Sequence, residues 1–180
     1  MSGRLVILSG PSGVGKDTII DAWRERDPRV RRVVAYTTRE PRPGEQAGVD
    51  YHFVPVSEFL AKAERGDFLE YKQVHGNYYA TPLTDMEEML RDGFVAILKI
   101  DVQGALAAME LRPDATTVII LPPSLEELEQ RIRGRGADSD EVIAKRLRNA
   151  RDELAVADRY QHRIVNERVS DVLDRLGELV

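Results

Sequence analysis

Cysteine is absent from the 180 residues, so disulfides, thiolate metal sites and a cysteine nucleophile are excluded, and a reducing cytosol is a compatible home. No apolar run approaches the roughly 20 residues that cross a bilayer. A strand pattern begins by Leu5 and leaves no room for a signal peptide ahead of it, so the expected location is cytoplasmic. An excess of positive charge is also missing. The net charge is −5, which argues against general nucleic-acid binding but not against a nucleotide held by local arginines. Internal repeats and low-complexity tracts are lacking as well. The remaining composition, 42% hydrophobic and 32% charged, suits one globular domain with a sizeable core and small inserted lobes.

The most informative stretch is Gly10-Pro11-Ser12-Gly13-Val14-Gly15-Lys16-Asp17. It follows the apolar run Leu5-Val6-Ile7-Leu8 and precedes Thr18-Ile19-Ile20-Asp21-Ala22-Trp23, which reads as a helix. Strand, glycine-rich loop and helix with a lysine at its start form a cradle for nucleotide phosphates. The glycines let backbone N–H groups turn toward an anion, the helix N-terminus adds partial positive charge, and Lys16 adds a full one. The pattern G-x-x-x-x-G-K-[ST] is met everywhere but at its last position, where Asp17 replaces a hydroxyl.

Short apolar runs alternate with helical patterns. Strands are expected over residues 5–9, 33–36, 94–100, 117–121 and 163–166. Residues 16–26 form a helix with Ile19, Ile20 and Trp23 on one face. Ser57 caps a helix ending before Gly66; Thr84 with Glu87, and Ser124 with Glu127, form capping boxes. A longer helix covers 141–157 and a last one follows Ser170. The alternation predicts an α/β fold, a mainly parallel sheet covered on both faces. Residues 36–81 read instead as an inserted lobe with short strands, and 126–146 as a charged, mobile flap.

Four further groups carry chemistry. Arg39 and Arg42 flank a rigid proline turn and can grip one phosphate from two sides; a solvated basic loop is the ordinary alternative. Glu70 and Thr81, in a segment with Tyr78 and Tyr79, can read a purine edge. Glu70 would accept from guanine N1–H and N2–H and Thr81 would donate to O6, whereas adenine would leave the carboxylate unpaired. Asp101 follows a buried strand and is placed beside the phosphate loop by this architecture, or simply caps a helix. Arg131, Arg135 and Arg146 form a second arginine group. Arg131 and Arg135 are four apart on a shared helix face, with Glu127 available for an ordinary surface ion pair.

Together these segments resemble the guanylate kinase family over nearly the whole chain. The most specific stretches are TTREPRPGEQAGVDYHF at 37–53, FLEYKQVHGNYYATP at 68–82, IDVQGA at 100–105, ILPPSLEELEQRI with the following GRG at 120–136, and IVN at 164–166. The resemblance implies ATP-dependent phosphorylation of GMP to GDP on a P-loop nucleoside monophosphate kinase fold, with magnesium accompanying ATP. It divides the chain into a core (1–34, 82–125, 147–180), a GMP-binding lobe (35–81) and a lid (126–146). By position it implies that Arg39, Arg42, Tyr51 and Tyr79 contact the GMP phosphate and that Glu70, Thr81 and Asp101 read guanine. Residues 10–18, including Lys16, Asp17 and Thr18, hold the ATP phosphates; Arg131, Arg135 and Arg146 close over the transferring group, and Asn166 sits near the adenine side. ATP and GMP are the expected partners, with no nucleic acid, membrane or obligate protein.

Three positions depart from the family pattern. Asp17 stands for the hydroxyl that ligates magnesium, Ala35 for a serine that contacts guanine, and Lys99 for the first aspartate of a D-I-D run. Two of these changes are expected to be one: Asp17 and Lys99 form a charge-exchanged pair, with a separation beyond about 6 Å counting against it. Asp17 could instead take magnesium directly, as a hard oxygen ligand. Two other readings compete. Ribose 1,5-bisphosphate phosphokinases share the G-K-D ending but are expected to lack the complete guanine lobe. Inactive guanylate-kinase-like interaction domains typically lose the loop lysine and lid arginines, which are retained here.

Overall fold

Apolar runs of the chain become the central strands of a five-stranded parallel sheet, which two more polar strands flank. The computed structural model describes residues 2–136 and 138–180. Residues 1 and 137, within the predicted core and lid respectively, lie outside that range. The strands are β1 (Arg4–Ser9), β2 (Val30–Arg32), β7 (Val95–Lys99), β8 (Thr116–Leu121) and β9 (His162–Val165), in the order β2-β7-β1-β8-β9. On β1, Val6 and Leu8 join a cluster with Ile19, Trp23, Val172 and Leu176 on one side. Leu5 and Ile7 join Met86, Ala105, Ala108 and Tyr160 on the other. This explains why β1 reads as a continuous apolar run rather than an alternating one. The first side is covered by α1 (Lys16–Arg26) and α7 (Val169–Gly177), and the second by α3 (Leu83–Arg91) and α4 (Val102–Leu111).

A second sheet interrupts this scheme. It comprises β3 (Tyr36–Thr37), β4 (His52–Phe53), β5 (Phe68–Val74) and β6 (Asn77–Pro82), in the order β4-β3-β6-β5. Its long hairpin turns at His75 (φ 50°) and Gly76 (φ 81°), and two successive positive-φ residues suit a tight turn that follows strand twist. Helix α2 (Val56–Glu64) buries Phe59, whose ring lies 4.9 Å from Phe68 and 5.2 Å from Tyr78. The lobe is thus held by aromatic packing rather than by an aliphatic layer. Beyond β8, α5 (Leu125–Gly134) and α6 (Asp140–Leu154) share a small cluster of Leu128, Ile132, Ile143 and Ala150.

Several expectations need correcting. The strand expected at 33–36 straddles the crossing between sheets. Val33 still donates to Ile97 O at 3.0 Å, whereas Tyr36 and Thr37 already belong to the second sheet. Ser57 and Thr84 do not cap. Their helices start two residues earlier than such caps require, with Pro55 and Pro82 at the cap positions, where the fixed φ of proline suits helix entry. Ser124 does cap, accepting from the Glu127 amide at 3.1 Å. The charged 126–146 segment is largely helical, and Arg135 follows α5 as its C-cap.

Candidate active site

The phosphate loop joins β1 to α1 at the carboxyl end of the central strand, where a parallel sheet of this kind opens its crevice. Gly15, at φ 101°, adopts a left-handed conformation, and a Cβ there would stand 2.9 Å from Asn166 Nδ2. Only glycine meets both demands. Asn166 is buried and donates to Val14 O at 2.9 Å. It braces the loop. The Arg131 guanidinium donates to Val14 O at 3.3 Å and so braces the same carbonyl.

Beside the loop opens a cleft of about 480 Å³. Its walls include Gly10, Ser12, Gly13, Gly15, Lys16, Asp17 and Thr18 from the loop. Facing these are Arg42, Tyr51, Glu70, Tyr79 and Asp101, so segments from Gly10 to Glu153 meet in one place. Arg135 alone of the three late arginines lines it; Arg146 pairs with Asp138 at 3.1 Å. A more open hollow between α1 and α7 has its charges already paired, Arg26 with Asp174 and Arg29 with Asp27, and lacks any phosphate cradle.

Lys16 reaches back to the Gly10 carbonyl. Burial pushes its pKa down to about 8, with Glu153 opposing and Lys99 reinforcing the shift. A buried ammonium short of counter-charge favours an incoming polyanion. Register pairs Leu8 of β1 with Lys99 of β7, which brings the Lys99 ammonium to 2.7 Å from Asp17 Oδ1. The expected charge-exchanged pair is therefore formed. Arg32 adds a second cation at 3.4 Å from the same oxygen. Burial raises the Asp17 pKa, but Lys99, Arg32 and Lys16 together hold it below the usual carboxylate value. Among the described residues there is no cluster of three acidic, histidine or cysteine side chains able to hold a metal.

Across the cleft, β5 and β6 set Glu70 opposite Thr81. Thr81 Oγ1 donates to Glu70 Oε1 at 2.8 Å. The proton expected to meet guanine O6 is thus engaged by Glu70 in this structure. Burial raises the Glu70 pKa, and the Thr81 bond works against that rise. Arg39 forms a two-pronged ion pair with Glu45, at 2.8 and 3.0 Å, and lies 5.3 Å from the Tyr51 ring centre. The Arg39 bond lowers the Glu45 pKa to about 2. Glu45 also accepts from the Arg42 amide at 2.7 Å.

Four participants escaped the sequence reading: Arg32, Glu45, Lys72 and Glu153. Glu45 alone left a trace, an acid three residues after Arg42 in a turn. Arg32, Lys72 and Glu153 are brought to the cleft by sheet register and helix approach, which no local pattern records.

The model of the guanylate kinase family matches residues 2–180. The chain belongs to the guanylate kinase family. Among its relatives, the guanylate kinase of Aromatoleum aromaticum is 49% identical over 180 residues, covering 100% of this chain and 88% of that one. The guanylate kinase of Gloeobacter violaceus is 48% identical and covers 98% and 86% of the two chains. The crystal structure of guanylate kinase from Anaplasma phagocytophilum superposes with a TM-score of 0.80 at 34% identity, covering 99% of this chain and 84% of that one. Membership makes this guanylate kinase homologue a nucleoside monophosphate kinase by class. Neither a ribose bisphosphate kinase nor an inactive interaction domain is favoured. No helix among the described residues is long and apolar enough to cross a membrane.

Proposed function

We propose that the chain transfers the γ-phosphoryl group of ATP to GMP, yielding ADP and GDP. The observation that carries this reading is the facing of two unlike halves across one cleft. One half is a phosphate loop with a buried lysine; the other combines arginine and tyrosine side chains with a buried carboxylate–hydroxyl pair. We assign residues 35–81 to acceptor binding, 126–146 to closure, and the remainder to the core. In this reading the chain works in the cytoplasm.

A phosphate oxygen of GMP attacks the γ-phosphorus in line, a P–O bond forms, and the bond from that phosphorus to the β-phosphate oxygen breaks with ADP leaving. The acceptor is already an anion, so no general base is needed. The barrier lies in bringing two polyanions together and holding them aligned, which makes positioning and charge neutralisation the main catalytic terms. Lys16 and the loop amides hold the donor phosphates. Arg39, Arg42, Tyr51 and Tyr79 orient the acceptor phosphate, and Arg39 exchanges Glu45 for it. Glu70, Thr81 and Asp101 read the base. Arg131, Arg135 and Arg146 answer charge in the transition state, and closure over the cleft excludes water. Asn166 keeps the loop in shape.

Magnesium prefers oxygen ligands and keeps several waters, usually taking one or two carboxylates beside substrate phosphates. The donors here fit that minimal protein share. Asp17 is the carboxylate at the loop, and because Lys99 and Arg32 engage Oδ1, Oδ2 is the oxygen it would offer. The metal would neutralise charge on the donor phosphates. The test is an ADP-release assay across GMP, AMP, UMP and ribose 1,5-bisphosphate with magnesium varied. The expected result is magnesium-dependent turnover with GMP far above the others; preference for ribose 1,5-bisphosphate, or no turnover, defeats the proposal.

A further inference from the structure

One buried cation in the acceptor half is not used by the mechanism above. Lys72 lies on β5 two residues beyond Glu70, so the two share a face of the strand. Its side chain is 17% exposed and its ammonium touches Asp101 Oδ1. The same oxygen accepts from the Gly104 amide at 3.0 Å, as the N-cap of α4. The fit is close on the far side as well: a Cβ on Gly104 would stand 3.2 Å from the Lys72 ammonium and 3.5 Å from Asp101 Oδ1. Lys72 thus ties the small sheet to the start of α4 at the point where both meet the cleft.

Charge gives this contact a purpose. Glu70 on the same strand, Asp101 at α4 and Glu153 from α6 all line the cleft together with Lys72. Three carboxylates without a cation would repel an anionic nucleotide and would raise one another's pKa values. Burial pushes the Lys72 pKa down to about 8, against the pull of Glu70 and Glu153, so the side chain is still largely cationic at neutral pH.

We propose that Lys72 is a positioning residue for acceptor specificity: with the Gly104 amide it pins Oδ1 of Asp101, and so leaves Oδ2 to accept from the 2-amino group of guanine. The inference rests on the GMP reading above and deepens it. An amide hydrogen bond and an ion pair on one carboxylate oxygen fix the rotation of the group. An unpinned carboxylate would have to be ordered by the substrate itself, at the expense of affinity.

The experiment compares kcat/KM for GMP and for IMP, which lacks the 2-amino group, in the wild-type chain, Lys72→Met, Asp101→Asn and the double variant. Lys72→Met is expected to lower the GMP-to-IMP ratio by about tenfold, mainly through KM for GMP, with a smaller change in kcat and none in KM for ATP. In the Asp101→Asn background the same substitution should change the ratio by less than about twofold, because the two residues act as a unit. Gly104→Ala is an independent probe, since alanine suits a helix interior and the added methyl displaces only the far end of a flexible side chain. It should lower the ratio by about threefold without lowering the melting temperature. An unchanged ratio in folded Lys72→Met or Gly104→Ala, or additive effects of Lys72→Met and Asp101→Asn, overturns the proposal. Failure of the wild-type chain to use GMP at all would overturn the underlying reading instead.

Discussion

The two sheets of this molecule solve the same problem, holding a phosphate, by different means. The large sheet is parallel, aliphatic and buried on both faces. It presents a loop whose amides and lysine form the donor cradle, and that cradle depends on backbone positions. The small sheet is short-stranded and aromatic, with half-exposed strands. It presents side chains, several of them already engaged inside the protein: Arg39 by Glu45, Lys72 by Asp101, Thr81 by Glu70. The donor half offers an undercompensated cation, whereas the acceptor half offers cations and acceptors that must exchange partners. Affinity on the first side comes from preorganised backbone. Discrimination on the second comes from what is left unpaired when the wrong base enters.

That contrast is sharpest at Lys16. Lys16→Met should lower kcat by about 10²–10³-fold while GMP affinity measured by calorimetry changes little. Comparable damage to GMP binding would mean the halves are not separable. Next comes Glu70→Gln, which should reduce kcat/KM for GMP by about 10²-fold and narrow the GMP-to-AMP preference. A uniform loss for both acceptors would remove Glu70 from base reading.

A smaller effect is expected at the pair that replaces the usual hydroxyl and acid. Asp17→Ser alone leaves Lys99 uncompensated beside the loop. It should be worse, by about tenfold in kcat/KM for ATP, than Asp17→Ser with Lys99→Asp. Strict additivity would show the 2.7 Å contact to be without consequence for the donor.

Protonation gives the fourth comparison. Burial holds the Lys16 pKa near about 8 in the empty protein, and a bound triphosphate favours the ammonium and raises it. ATP binding should therefore take up protons at pH 8 to 8.5 and none at pH 6, where Lys16 is already charged. Calorimetry in buffers of different ionisation enthalpy measures this. Uptake that persists in Lys16→Met would assign the proton elsewhere.

The smallest effect on activity and the clearest on stability distinguishes the two sheets directly. Ile7→Ala, in the large sheet, should destabilise the whole chain by about 2–5 kcal/mol. Phe59→Ala, under the small sheet, should increase amide exchange in β5 and β6 before global unfolding, because the lobe has its own cluster. Equal loss of protection in both sheets would make them a single cooperative unit.

Much of this molecule is legible in the residue order, for reasons that are local. The phosphate loop is read from glycines whose positive φ the turn requires, and α1 from the spacing of Ile19, Ile20 and Trp23. Strands β1, β7 and β8 are read from apolar runs that double burial explains, whereas β2 (Val30–Arg32) has no such run and lies just before the strand expected at 33–36. The second sheet was legible as an insertion but not as a sheet. β3 and β4 are two residues each, and their pairing partners lie at Ala80 and Tyr79 and at Tyr36 and Thr37, beyond any local window. The caps at Ser57 and Thr84 were misplaced because a proline caps each helix two residues sooner.

Local chemistry therefore determined the donor cradle, most of the helices and the central strands of the large sheet, since hydrogen bonding and side-chain periodicity act over a few residues. The Asp17–Lys99 pair was legible from two coupled departures in the sequence, but tertiary structure decided the other charges that face one another. Arg32 joins Lys99 at Asp17, Lys72 reaches Asp101 and Glu153 reaches the vicinity of Lys16 because β1, β5, β7 and α6 converge on one cleft. Electrostatic partnership depends on distance through space, and distance along the chain does not encode it.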